Sequence, residues 1–208
     1  MKQKDYPPGT VADNESDTNA ETGVAGKNMI VLSYTTRSAD VYGYQKSQGP
    51  TSDIPIVTAA TANDCTVTGT TYILVFNEYL WFGGDIDHSL HNPNQLRHNG
   101  LNFWDNPYDA AHGLQIEIPF RDSMITIPLQ QRGTKLSFES RVPTRQELTK
   151  CYHIKMTSAK PWNPSQVQLK EVNENRYLAN NHQNIIKLED ESYAYTNPSS
   201  EEKNATRD

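Results

Sequence analysis

No apolar run in this 208-residue chain approaches the roughly 20 residues needed to cross a bilayer, so no membrane partner is expected. Met1 to Asp13 lacks the apolar stretch of a signal peptide, and the expected location is cytoplasmic. Basic residues are outnumbered, with 19 Lys and Arg against 25 Asp and Glu and a net charge of −6. Without a basic stripe there is nothing to neutralise a phosphate backbone, and no nucleic-acid partner is expected. Cys65 and Cys151 are the only cysteines. They are too few for a four-thiolate zinc site and are expected as free thiols in a reducing compartment. The chain has no Gly-x-Ser-x-Gly elbow and no cysteine-nucleophile signature, which sets aside serine and cysteine hydrolysis. Hydrophobic residues are scarce too, at 35%, and mean hydropathy is −0.75. That is low for a chain folded from end to end. A single folded domain over residues 14–157 is expected, with a disordered segment at 1–13 and a mostly disordered linker or tail at 158–208.

What is present reads as short strands. Met29-Ile30-Val31-Leu32 opens a strand-like segment that continues to Thr36, and Val41 to Tyr44 is another. Asp53 to Thr61 is β-branched and then small, and Asn63 to Gly69 reads as a polar turn. Thr71 to Asn77 is the most strand-like stretch, its continuous apolar centre predicting burial on both faces. Pro93 to His98 predicts a short helix with proline in its first turn, and Pro143 to Leu148 a second. Leu101 to Trp104 and Leu114 to Ile118 predict further strands. Met124 to Leu129 and Lys135 to Ser140, separated by residues 130–134, predict a hairpin. Ile185 to Leu188 is expected to pair only locally. The predicted class is all-β, a barrel or sandwich of short strands with one or two short helices.

Two polar groupings are candidates for chemistry. His88, His91 and His98 lie near Asp85 and Asp87, but their spacing fits no zinc signature, so they are expected in solvated loops and no metal or cofactor is expected. The other is the run Glu15-Ser16-Asp17-Thr18-Asn19-Ala20-Glu21-Thr22, which by itself is an acidic polar loop.

Taken together with blocks downstream of it, that run resembles the catalytic loop of the retropepsin-like aspartic protease segment in copia-type retrotransposon polyproteins, closest to those of diatoms and other protists. The matching blocks are Asp17 to Thr22, Val24-Ala25-Gly26-Lys27-Asn28, Ile54 to Ala62, Tyr72 to Leu80 and Asp87 to His98, within a span from about Glu15 to Trp162. The resemblance implies a retropepsin-like closed barrel and an aspartic endopeptidase acting on a peptide or polyprotein substrate. Asp17 would then be the catalytic carboxylate and Thr18 its orienting neighbour. Asn19 would stand where the family has glycine, followed by Ala20. Ile56, Val57, Thr58, Ala59 and Ala60 would form the flap over the substrate. One such loop is half a site, because the mechanism needs two carboxylates sharing one proton. A homodimer is implied, each copy supplying one Asp17. Ser16 and Asn19 depart from the family pattern. They leave open the alternative of a catalytically dead remnant that serves as a dimerisation or peptide-binding module.

Overall fold

The computed structural model describes residues 6–43, 47, 49–109, 111–121, 123–167, 185–187 and 193–195. Contacts divide the chain into Met1–Val167 and Gln168–Asp208. The first unit is mostly β with two short helices.

Its strands are β1 (Val11–Ser16), β2 (Val24–Gly26), β3 (Ile30–Tyr42), β4 (Pro50–Asp64), β5 (Thr71–Gly83), β6 (Ser89–His91), β7 (Asn102–Trp104), β8 (Gln115–Phe120), β9 (Ser123–Pro128), β10 (Gln130–Arg132), β11 (Lys135–Arg141) and β12 (Tyr152–Lys155). The helices are α1 (Pro93–His98) and α2 (Arg145–Lys150). The main sheet runs β10-β11-β1-β6-β2-β5-β4-β3, with β12 also on β5. A bridge between Arg141 and Ala62 joins β11 back to β4. The parallel pairs β1–β6, β2–β5 and β12–β5 are set among antiparallel ones. β7, β8 and β9 form a separate sheet whose Phe103, Ile116, Ile118, Ile125 and Ile127 enter the same apolar core as Phe76, Tyr79 and Leu96.

β5 is flanked by β4 on one edge and by β12 and β2 on the other. It is buried along nearly its whole length, as its apolar centre predicts. α1 begins where Asn92 accepts the backbone N–H groups of Asn94 and Gln95 ahead of Pro93. α2 opens with a capping box between Thr144 and Glu147.

Three expectations are corrected. The folded unit starts before residue 14: β1 begins at Val11, Gly9 N–H donates to Val142 O, and Val142 N–H donates to Thr10 O, so this segment is held by backbone pairing. Residues 1–5 lie outside the described residues. At the other end the unit does not stop at 157 but continues to Val167. Thr157 donates to Asn77 O and accepts Asn77 N–H, and Trp162 is bonded to the body of the unit. Finally, Met124 to Leu129 does not pair with Lys135 to Ser140. β9 pairs with β8, and the hairpin partner of β11 is the polar strand β10, which apolar patterning misses.

In the second unit, β13 (Ile185–Lys187) pairs antiparallel with β14 (Tyr193–Tyr195). The remainder of the expected tail lies outside the described residues.

Candidate functional site

The loop from Asp17 to Gly23 leaves the end of β1 and is clamped from several elements. Asp17 N–H donates to His91 O at 2.9 Å, which ties the loop's first residue to the end of β6. Asp17 Oδ1 accepts Asn19 N–H at 2.9 Å, turning the chain back over the carboxylate. Among the described residues the other carboxylate oxygen, Oδ2, has no hydrogen-bond partner. The α1 cap Asn92 donates its amide to Ala20 O at 2.6 Å, and Gln95 Oε1 accepts Gly23 N–H at 3.0 Å. Thr22 Oγ1 donates to Glu78 O at 3.0 Å, and Leu80 N–H donates to Gly23 O at 3.0 Å. Gly23 is required sterically, since a Cβ there would overlap the Tyr79 ring. Asp17 and Ala20 are half-buried, whereas Thr18 and Asn19 are exposed. The result is a loop tied to β5, β6 and α1, with one oxygen of its half-buried carboxylate left without a partner among the described residues.

Asn19 does not take up the backbone freedom that glycine would supply. The non-glycine residues of positive φ among those described are Asp53, Glu78 and Arg121. Whatever Asn19 costs relative to glycine therefore lies in its exposed side chain, not in its φ.

Ile56 to Ala60 are not at the tip of a hairpin. They lie in the inner half of β4, where Val57, Ala59 and Ala60 are fully buried. Thr58 Oγ1 donates to Asn77 Oδ1. A segment that fills a core cannot lift to cover a substrate, so this expectation is corrected. The projecting part of the β3–β4 hairpin is Arg37 to Tyr42 with Pro50 to Asp53, exposed or half-buried throughout. A register shift between Tyr34 and Ser38 separates it from the inner half, where β4 is packed into the core. Arg37, at that irregularity, forms an ion pair with the buried carboxylate of Glu78.

Beneath the loop is a polar network that resolves completely. Asn14 Nδ2 donates to Phe138 O at 3.0 Å and to Ser140 Oγ at 2.8 Å, so its Oδ1 must be the acceptor for Asn28 Nδ2 at 3.1 Å and His91 Nε2 at 3.0 Å. His91 therefore carries its proton on Nε2, and Nδ1 accepts the Tyr79 hydroxyl at 2.8 Å. Ser140 Oγ accepts from both asparagines and so donates to Thr61 Oγ1 at 2.6 Å. Ser89 donates to Asn28 Oδ1 at 2.6 Å and accepts Gly26 N–H. Phe76 and Phe138 lie against the imidazole, with ring centroids at 4.6 and 5.6 Å. Burial without a neighbouring charge lowers the His91 pKa to about 3 and raises that of Tyr79. His91 thus corrects the expectation of a solvated loop histidine. His88 is half-buried beside Glu15, and His98 is exposed beside Trp162. Among the described residues no three His, Cys, Asp or Glu side chains are grouped to hold a metal ion.

Sequence reasoning missed Glu78, Asn92, Gln95 and Trp162 as supports of this loop, and placed His91 only in a possible metal grouping. Asn92 had a readable signal, a capping residue directly before proline. So did Glu78, the one charged residue in a strand that is apolar apart from Thr71 and Asn77. No helix among the described residues is long and apolar enough to cross a membrane. Searches for a matching family model, curated protein or solved structure found none.

Proposed function

We propose that the chain is a retropepsin-like half-site that hydrolyses peptide bonds as a homodimer, with Asp17 as its catalytic residue. The carrying observation is the seating of Asp17: one oxygen is held by Asn19 N–H, the other has no partner among the described residues, and the loop is clamped by β5, β6 and α1. In the dimer two Asp17 carboxylates face each other across the two-fold axis. Their proximity forbids both from ionising, and the pair holds one proton. The ionised member takes a proton from water as the water attacks the scissile carbonyl, and the protonated member donates to the developing oxyanion; the proton taken from water then passes to the amide nitrogen as the C–N bond breaks, and the other carboxylate takes back the proton it gave, leaving the pair with one proton again. The exposed Thr18 lies on the face that meets the second copy. The outer β3–β4 hairpin, from Arg37 to Tyr42 and Pro50 to Asp53, takes the covering role that the resemblance gives to Ile56–Ala60.

The test is cleavage of a library of extended fluorogenic peptides at mildly acidic pH, with and without pepstatin. Asp17→Asn is expected to reduce turnover to background without changing the melting temperature. Cleavage that survives this substitution removes Asp17 from the mechanism, and a monomer at high concentration by sedimentation removes the two-half-site scheme. The second reading, a non-catalytic peptide-binding dimer, is favoured by the exposed Asn19 side chain beside Thr18. Asn19→Gly separates the two: it raises turnover if the side chain crowds the facing loop, and does nothing if the module only binds.

A further inference from the structure

Past β12 the chain does not leave the fold. Met156 N–H donates to Val75 O at 2.8 Å, and Asn77 and Thr157 exchange three hydrogen bonds of 2.7 to 2.9 Å. The strand pairing along β5 is thereby prolonged to its irregularity at Glu78. Glu78 is unusual in three ways. It is a carboxylate with only 7% exposure, it is not glycine yet has φ of 60°, and it sits mid-strand. A bulky residue held at positive φ persists only where its surroundings over-determine it. The surroundings here are specific. Its carboxylate pairs with Arg37 and accepts Trp162 N–H at 3.1 Å, while its carbonyl accepts Thr22 Oγ1 and Gln95 Nε2. Trp162 closes the circuit: its indole N–H donates to Glu21 O at 2.7 Å, and its ring meets His98 edge-on at 5.4 Å.

We infer that Trp162 is a positioning residue for the Asp17 loop, acting with Glu78, and that the 158–163 segment belongs to the functional site and is not a linker. The inference rests on the proposed hydrolytic role only for its effect on turnover; the restraint itself is independent of that role. Trp162 fixes the loop's outer side at Glu21 O, where β6, α1 and Glu78 hold the inner side. Through the shared Glu78 carboxylate it also links the loop to the hairpin at Arg37. An extended substrate lying between hairpin and loop would meet both ends of this linkage.

The experiment uses the full chain and Trp162→Phe, which keeps an aromatic ring beside His98 and removes the indole N–H donor together with part of the ring. Amide hydrogen exchange is read at Asn19 and Gly23 in the loop and at Ile73 and Leu74 in β5. Losing one hydrogen bond is expected to speed loop exchange by roughly fivefold while leaving β5 unchanged. In the peptide assay the same substitution is expected to lower kcat/KM by a similar factor with Asp17 intact. Loop exchange unchanged in Trp162→Phe, or accelerated equally throughout β5, overturns the inference. If wild-type protein cleaves no peptide, the hydrolytic reading fails while exchange still decides the role of Trp162. Glu78→Gln provides a second arm, since it retains an acceptor for Trp162 N–H but discharges the Arg37 pair. It is expected to speed loop exchange less than Trp162→Phe does, and a larger acceleration than in Trp162→Phe would overturn the assignment of the main restraint to Trp162.

Discussion

Lowering the pH from 7 to 5 should destabilise this fold by about 2 kcal/mol through His91 alone. The imidazole is buried and neutral, with Nε2–H given to Asn14 and Nδ1 filled by the Tyr79 hydroxyl. Protonation puts a second N–H on the ring and an unpaired charge between Phe76 and Phe138. The folded pKa is lowered to about 3, against about 6.5 for an unfolded histidine. Between those values the unfolded chain binds a proton that the folded chain refuses, so stability falls with falling pH. The full difference is about 5 kcal/mol once pH drops below 3, at 1.36 kcal/mol for each pKa unit. At pH 5 the loss is set almost wholly by the unfolded value, because the folded pKa lies far below 5. It amounts to RT times the logarithm of about 30, or about 2 kcal/mol.

Urea unfolding followed by circular dichroism at pH 7, 6 and 5 measures this directly. The midpoint should fall steadily while the slope against denaturant stays constant. His91→Gln is neutral and offers an amide N–H and a carbonyl oxygen, but its second N–H has no place in the network, so it should be less stable at pH 7 yet nearly flat down to pH 5. Equal slopes against pH in wild type and His91→Gln would refute the reasoning, since some other group would then carry the acid sensitivity. The effect also bears on the proposed chemistry. A carboxylate pair sharing one proton works in mild acid, where His91 is already weakening the fold.

Stability at two other places should respond in its own way. Arg141 holds Asp64 and Glu147 together, and Glu147 also accepts Thr144 N–H at 2.7 Å; these contacts, the Arg141 bond foremost, lower its pKa to about 2. A depressed carboxylate stabilises above its unfolded pKa of about 4.5 and loses that contribution as pH falls towards 2. Glu147→Gln should cost about 1–2 kcal/mol at pH 7 by thermal melting, allowing for its partial exposure, and the difference from wild type should shrink as pH falls below 4.5 and close only below about pH 2. Gly23→Ala should cost about 3 kcal/mol or more, because its Cβ would enter the Tyr79 ring whose hydroxyl is fixed on His91. A melting temperature within a degree or two of wild type would show that Tyr79 can move aside.

The regular parts of the fold are legible in the sequence because they obey period and capping. β5 reads as a doubly buried strand from its apolar run, and α1 from the proline in its first turn. The tertiary choices are not legible. β10 is exposed at all three positions, so only its pairing with β11 makes it a strand. Ile56 to Ala60 are β-branched and small, a composition that suits a mobile covering segment and a tightly packed inner strand equally well. Asp17 is legible as a position, whereas its supports at His91 O, Asn92, Gln95, Glu78 and Trp162 come from elements far apart in sequence.

The low hydrophobic content has a second meaning that composition alone could not supply. Composition places the deficit in polar ends around a folded middle, yet part of it lies inside. Asn14, Asn28, Thr61, Ser89, His91 and Ser140 are all nearly inaccessible, and they occupy places that aliphatic side chains take in an apolar core. Every donor and acceptor among them is matched. A matched polar core is intolerant of partial change, because removing one member leaves its partners desolvated and unpaired. It also fixes register more sharply than aliphatic packing, since each bond admits only one strand alignment. β1 and β6 carry Asn14 and His91, and the same two strands deliver Asp17 and the carbonyl that holds it. The polarity that depresses the hydropathy of this sequence therefore sets the alignment on which the Asp17 loop depends.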